Sequence, residues 1–237
     1  MRNIAKRILK MANFLKEGRT RPYTVIVEGN IGSGKTTFLN YFNRNKDVCV
    51  LAEPVEMWRD CDGYNLLGAM YEDPKRWSFT FQSYVQLTML QQHTKETDLP
   101  IKLMERSIYS ARYCFVEQLK RDKVLSGPSE SVINAWFNWV TSNKNLDVDL
   151  VVYLRTTPEV VYERMMKRNR AEEKSVPLEY LKSLHKIHED WLYYKTLHHC
   201  PAPVIILNAN LDRSNIANEY EKCESHIFNK EVVTARA

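Results

Sequence analysis

No apolar run in this 237-residue chain approaches the roughly 18 to 20 residues of a membrane span, so nothing in it argues for a transmembrane segment or a membrane partner. Cysteine is sparse and odd in number: Cys49, Cys61, Cys114, Cys200 and Cys223, with no C-x-x-C pair. That pattern indicates neither a disulfide framework nor a zinc site, and it suits a reducing, intracellular compartment. Internal repeats are absent, and so is any long Pro-, Gly- or Ser-rich linker, which leaves one domain. A strong excess of positive charge is also missing. The net charge of +5 suits phosphate-bearing ligands but falls short of a dedicated nucleic-acid binder, so no nucleic-acid partner is expected.

What is present begins with a basic segment. In residues 1–21, Arg2, Lys6, Arg7, Lys10 and Lys16 alternate with Ile4, Ile8, Met11 and Leu15, and Glu17 is the sole acid. An amphipathic, acid-poor start resembles a mitochondrial transit peptide, although the usual serines are lacking; a basic tail before the first strand is the other reading. Mitochondrion and cytosol both stay open. The expected division is a basic extension over 1–21, a catalytic domain over 22–226 and a tail over 227–237.

Five short apolar, β-branched runs read as buried strands: YTVIVEG (23–29), VCVLAEP (48–54), IKLMERS (101–107), VDLVVYLRT (148–156) and PVIILNA (203–209). Helical patterns fall between them, near 35–43, 65–93 (broken at EDPK), 109–123, the stretch following Gly127-Pro128, 158–170, 177–198 and 213–226. Alternation of this kind predicts an α/β fold: a five-stranded parallel sheet, doubly wound, with helices on both faces. Ligands of such sheets gather beyond the carboxyl ends of the strands, and the distinctive residues fall there.

GNIGSGKT fits G-x-x-x-x-G-K-[ST] between a predicted strand and a predicted helix, the context that the motif requires. Gly29, Gly32 and Gly34 permit a tight turn through Asn30, Ile31 and Ser33, with N–H groups turned inward. The helix opening at Lys35, Thr36 and Thr37 adds its positive end. Lys35 is expected to reach the β- and γ-phosphates of ATP, and the Thr36 hydroxyl to bind Mg²⁺. DCDG (60–63) has the loose spacing of a GTPase motif but follows no strand, and no N-K-x-D guanine reader occurs.

Glu53 and Pro54 close the second expected strand, which aims a carboxylate at the cradle. Glu105 and Arg106 close the third; Glu105 is placed as a second Mg²⁺ ligand, direct or through water, and Arg106 as the partner that orients a carboxylate. Taken alone, Glu53 reads either as a structural acid or as a base. With Arg106 and the cradle beside it, a general base accepting an alcohol proton is the better reading. On the helix over 77–93, Gln82, Val85 and Met89 share one face, so that one amide stands on an apolar stripe, an arrangement suited to a planar base edge and equally to packing. Trp58, Met70, Tyr71, Ala111 and Phe115 are further candidates.

VEGNIGSGKTT, EPVEMW, FQSYVQLTML, ERSIYSARYCFVE, LRTTPEVVYERMMKRNRAEE and VPLEYLKSLHKIHEDW, taken together and in that order, resemble the deoxyribonucleoside kinases over about residues 22–226. The likeness is nearest to the insect multisubstrate and mitochondrial thymidine kinase branch. It implies the P-loop kinase fold with an arginine-rich lid, ATP as donor, deoxyribonucleosides as acceptors, a homodimer and feedback by a deoxynucleoside triphosphate. It also implies residue roles: Glu53 as base for the 5′-hydroxyl beside Arg106, Gln82 on the base edge between Trp58 and Phe115, with Leu67 lining the pocket, and Tyr71 and Glu173 on the 3′-hydroxyl. Members preferring purines or deoxycytidine carry an arginine and an aspartate where this chain has Met89 and Ala111. That departure removes charge and implies thymidine and deoxycytidine as good substrates, with purines weaker.

The sequence RMMKRNRAEE (164–173) then acquires a setting. Arg164 and Arg168 stand at i and i+4, expected on one helix face, and Arg170 leaves the helix. Arg164 and Arg168 are expected to bind the transferring phosphoryl group, with Arg168 and Arg170 gripping ATP and Glu172 facing solvent. Two rivals remain. A nucleoside monophosphate kinase needs a basic group where Glu53 stands, and an ATP-dependent nucleic-acid-binding protein fits poorly with acids directly behind the basic run.

Overall fold

The computed structural model describes residues 21–212 and 215–228. The basic extension, apart from Arg21, and the tail from residue 229 lie outside the described residues. So does the start of the helix expected from 213.

Among the described residues there are five parallel strands: β1 (Tyr23–Glu28), β2 (Val48–Leu51), β3 (Ile101–Glu105), β4 (Leu150–Arg155) and β5 (Val204–Asn208). Their order in the sheet is β2-β3-β1-β4-β5. From β1 the chain crosses to the edge strand β2, returns to β3 beside β1, and then runs through β4 to β5 on the other side, so the switch point falls at the carboxyl end of β1, where the glycine-rich turn begins. Both faces of β1 are covered, which is why its sequence is apolar without alternation.

The two faces bury different partners. Val25 and Val27 pack with Phe38, Leu39 and Phe42 of α1 (Lys35–Phe42) and with Tyr220, Cys223 and Ile227 of the last helix (Ile216–Phe228). Ile26 and Tyr153 pack on the other side with Val161 and Met165, and with Leu181, Leu184 and Ile187. Each such side chain, fully buried, contributes about 1.5–3 kcal/mol. The order of the remaining helices is α2 (Val55–Arg59), α3 (Leu66–Glu72), α4 (Pro74–Thr94), α5 (Ile108–Ser110), α6 (Glu117–Arg121), α7 (Gly127–Asn143), α8 (Pro158–Arg168), α9 (Leu178–His188) and, last, α10 (Ile216–Phe228). A third cluster contains Trp58, Phe81, Val85, Met89, Ala111 and Phe137 and forms a wall that brings α2, α4 and α7 together.

Several expected boundaries move. β2 ends at Leu51, so Glu53 stands beyond the ladder, and Pro54 caps α2, a helix too short to announce itself by periodicity. Gly127 and Pro128 begin α7 rather than precede it. The Ser126 hydroxyl accepts from Ser129 N, and proline is tolerated in a first turn because its missing N–H would be unpaired there. The expected helix over 109–123 contains a π-helical turn, Ala111–Val116, between α5 and α6. The one over 177–198 ends in a second, Glu189–Tyr193.

Candidate active site

A cavity of about 230 Å³ opens beyond the carboxyl ends of the strands. The glycine-rich turn forms its floor. Gly29 (φ 146°) and Gly32 (φ 79°) adopt backbone that side chains disfavour, and a Cβ at either would meet main-chain oxygen: Leu154 O at 2.8 Å and Val161 O at 2.7 Å. Asn30 anchors the turn, its Nδ2 donating to Leu181 O (2.9 Å) and its Oδ1 accepting from Ile31 N (2.8 Å). Lys35 Nζ donates to Asn30 O (2.8 Å) and Gly29 O (3.3 Å). Burial, reinforced by repulsion from Arg106, pushes its ammonium down to about 7.

Glu105 ends β3 and both its oxygens accept from the Thr36 hydroxyl at 3.1 Å. Burial and then the nearby Glu53 carboxylate hold Glu105 above its usual range. A hydroxyl beside a carboxylate is a hard oxygen donor set of the kind Mg²⁺ takes, completed by substrate phosphates rather than by a protein cage. Among the described residues no three His, Cys, Asp or Glu side chains gather as such a cage.

Arg106 follows at φ 63°, a left-handed conformation costing on the order of 1 kcal/mol for a residue other than glycine. The conformation turns the guanidinium back over the strand ends. Its Nε lies 2.8 Å from Glu53 Oε1, an ion pair although the N–H does not aim at the oxygen. Its Nη1 donates to Gly29 O (3.1 Å), and its carbon stands 4.6 Å above the Phe115 ring.

The far wall is apolar. Trp58, Leu67, Met70, Phe81, Val85, Met89, Ala111 and Phe115 line it, with Gln82 among them. The Trp58 Nε1 donates to Thr88 Oγ1 (2.9 Å), which fixes the indole edge-on to Phe81 at 5.7 Å. Gln82 is 3% exposed and its Oε1 has no protein partner. An acceptor buried in that condition is costly unless a ligand or water satisfies it. Tyr71 also lines the cavity. Burial, followed by Tyr180 and Glu173, keeps its phenol protonated.

The lid joins the same cavity through Arg168, Arg170, Glu172 and Glu173. Glu173 is buried between Arg168 (2.5 Å) and Arg170 (3.3 Å). Two expectations are corrected here. Arg164 does not stand with Arg168: its guanidinium is engaged by Ala209 O and Leu211 O, both at 2.8 Å, at the end of β5. Glu172 does not face solvent, since Arg59 Nε and Nη2 hold its two oxygens at 2.7 and 3.1 Å. Gly29, Asn30, Ser33, Gly34 and Thr37 shape the turn or its helix without lining the cavity. Sequence reasoning missed Phe81, Tyr180 and Arg59. For Phe81 the signal existed, because it lies at i−4 from Val85 on the same face; Arg59 and Tyr180 carry no local signal.

Comparison with known proteins agrees with this geometry. The family model described as deoxynucleoside kinase matches residues 25–234. This chain belongs to the deoxynucleoside kinase family. Human "Thymidine kinase 2, mitochondrial" is 45% identical over 216 residues, covering 91% of this chain and 82% of the relative. The macaque (Macaca fascicularis) protein of that name is 45% identical over 207 residues, 87% of this chain and 78% of its own. Mouse deoxycytidine kinase is 36% identical, over 87% of this chain and 91% of its own. The kinase therefore performs ATP-dependent phosphoryl transfer to a deoxynucleoside, and its α/β sheet is the P-loop kinase fold.

Proposed function

We propose that this kinase transfers the γ-phosphoryl group of Mg-ATP to the 5′-hydroxyl of thymidine and deoxycytidine, with purine deoxynucleosides weaker. The observation that carries the reading is the Glu53–Arg106 pair at the cradle end of a cavity whose other end presents Gln82 on apolar wall. A pyrimidine edge offers one donor and one acceptor in a plane, which a carboxamide matches, and Met89 and Ala111 put no charge against it. Tyr71 and the buried Glu173, neighbours in the cavity lining, suit a 3′-hydroxyl.

In this reading Glu53 accepts the 5′-hydroxyl proton as that oxygen bonds the γ-phosphorus. The bond from the γ-phosphorus to the β,γ-bridging oxygen breaks, and ADP leaves. Lys35 and Arg168 bind the oxygens on which charge collects, with Arg170 beside them. Thr36 and Glu105 would hold Mg²⁺, which supplies charge neutralisation. A loose transition state needs little base strength, so placement of these groups dominates.

Relatives named for thymidine and for deoxycytidine support the substrate class. The free cysteines and a relative named mitochondrial support an intracellular enzyme, in mitochondrion or cytosol. The catalytic domain would run from about residue 22 through at least Phe228, since Ile227 packs in the core, with the basic segment before it and the remaining tail as accessory pieces. On α7, Ile133, Phe137 and Val140 are core while Val132, Trp136 and Trp139 are exposed; the exposed face is proposed as the homodimer contact. A deoxynucleoside triphosphate spanning acceptor pocket and cradle would act as feedback inhibitor.

The test is a panel of four deoxynucleosides and thymidine monophosphate with Mg-ATP, for the natural chain and Glu53→Gln. Thymidine and deoxycytidine should lead and Glu53→Gln should be nearly inactive. Thymidine turnover below that of deoxyguanosine, or faster turnover of the monophosphate, overturns the reading.

A further inference from the structure

One carboxylate stands outside the scheme just given. Glu28, the last residue of β1, is fully buried, and nothing in the transfer step uses it. Its Oε1 accepts from the Ser107 hydroxyl at 2.6 Å, while its Oε2 has no hydrogen-bond partner among the described residues. An amide or an aliphatic side chain would fill that space without the cost of burying an acid.

The surrounding bonds show what the acid touches. Three consecutive residues of one segment grip two of another. Val27 O accepts from Arg106 N (2.9 Å), Glu28 Oε1 accepts from Ser107 Oγ, and Gly29 O accepts from Arg106 Nη1 (3.1 Å). Glu28 supplies the only side chain on its half of this clamp. Ser107 Oγ also accepts from Ser110 N (3.1 Å), and Ile108 N donates to His93 Nε2 (3.2 Å), so the start of α5 is held on two sides. Between these anchors Arg106 keeps its left-handed backbone. Glycine would suit that conformation better. Arginine there makes the direction of the guanidinium the thing being held.

We propose that Glu28 is a positioning residue: through Ser107 it fixes the turn that aims Arg106 at Glu53, and it gives the buried guanidinium a carboxylate neighbour besides Glu53. The inference rests on the reading of Glu53 as the proton acceptor. When Glu53 takes up the proton, Arg106 loses its anionic partner on the cavity side. Glu28, a second carboxylate acting on Arg106, keeps the guanidinium from being stranded in a buried site. Burial raises Glu28 to about 7, and Arg106 is the strongest influence opposing that rise, with Ser107, Ser110 and Lys35 next.

The experiment is a double-mutant cycle on the full chain. Glu28→Gln should lower kcat by about tenfold or more, with KM for thymidine and for ATP within threefold and the melting temperature retained. In an Arg106→Ala background the same change should cost less than twofold, because the group through which it acts is gone. Ser107→Ala should repeat the pattern, and it carries the test if Glu28→Gln is not recovered folded. A Glu28→Gln variant within twofold of the natural kcat overturns the proposal. So does a loss that multiplies in full on top of Arg106→Ala, since that marks a role independent of Arg106. Glu53→Gln is measured alongside: if it stays active, the base assignment has failed, whereas an inactive Glu53→Gln with an additive cycle rejects the clamp alone.

Discussion

The cradle and the lid bring positive charge to the same cavity by different means. In the cradle, main chain does the holding: Gly29 and Gly32 press against the carbonyls of Leu154 and Val161, Asn30 ties the turn to α9, and Lys35 is seated on two carbonyl oxygens. In the lid, side chains hold one another. Arg168 and Arg170 share Glu173, and Arg59 holds Glu172. Main-chain contacts cannot be exchanged without moving the fold, whereas ion pairs can be traded for a phosphate or a hydroxyl at little net cost. On the function proposed above, the difference implies a division of labour: the cradle would be preorganised for nucleotide, and the lid would rearrange as ligands replace its internal partners.

The sharpest way to break that contrast is Arg168→Ala. Kcat should fall by about 10³-fold or more, or about 4 kcal/mol at ~1.36 kcal/mol per decade, while thermal unfolding moves by no more than the ~1 kcal/mol of a half-exposed ion pair. Activity retained within a few-fold would make the arginine run a solvated helix face. Gly32→Ala tests the other side. Its Cβ would lie 2.7 Å from Val161 O at a left-handed φ, and a cost of about 1–3 kcal/mol is expected. Calorimetry should show a fall of about 2–4 °C per kcal/mol, and an unchanged melting point would mean that the turn is softer than its packing implies.

Protonation gives a third handle, through Lys35. Its ammonium titrates near 7 in the structure, and phosphate oxygens beside it would raise that value. Above pH 7, nucleotide binding should therefore take up a proton and weaken as pH rises, by at most about tenfold per unit; below 7 the dependence through this group should flatten. Titration calorimetry in two buffers of different ionisation enthalpy measures the uptake, and proton-neutral binding at pH 8 would contradict it. The smallest effect is expected from Arg59→Ala. Losing the hold on Glu172 should raise thymidine KM by about fivefold or less at constant kcat, the range of a partly exposed ion pair. A rise beyond tenfold would place the lid with the cradle as a rigid element.

Local order along the chain was enough for the sheet, the glycine-rich turn and the acid and base flanking it. Strand periodicity and the P-loop spacing are short-range, because each residue's conformation there is set by near neighbours and by burial on both faces. Even Gln82, Val85 and Met89 were legible, because helical spacing alone puts them on one side of α4. Arg59, Arg164 and Glu172 were not. Their partners lie 113 residues away for Arg59 and Glu172, and at the end of β5 for Arg164. Which carboxylate or carbonyl meets a long flexible guanidinium is decided by helix packing and loop closure, and no spacing along the chain encodes that choice. Glu28 marks the same boundary: as a letter it merely ends a strand, and only the meeting of β1 with the turn after β3 places it on Ser107, next to Arg106 in the chain.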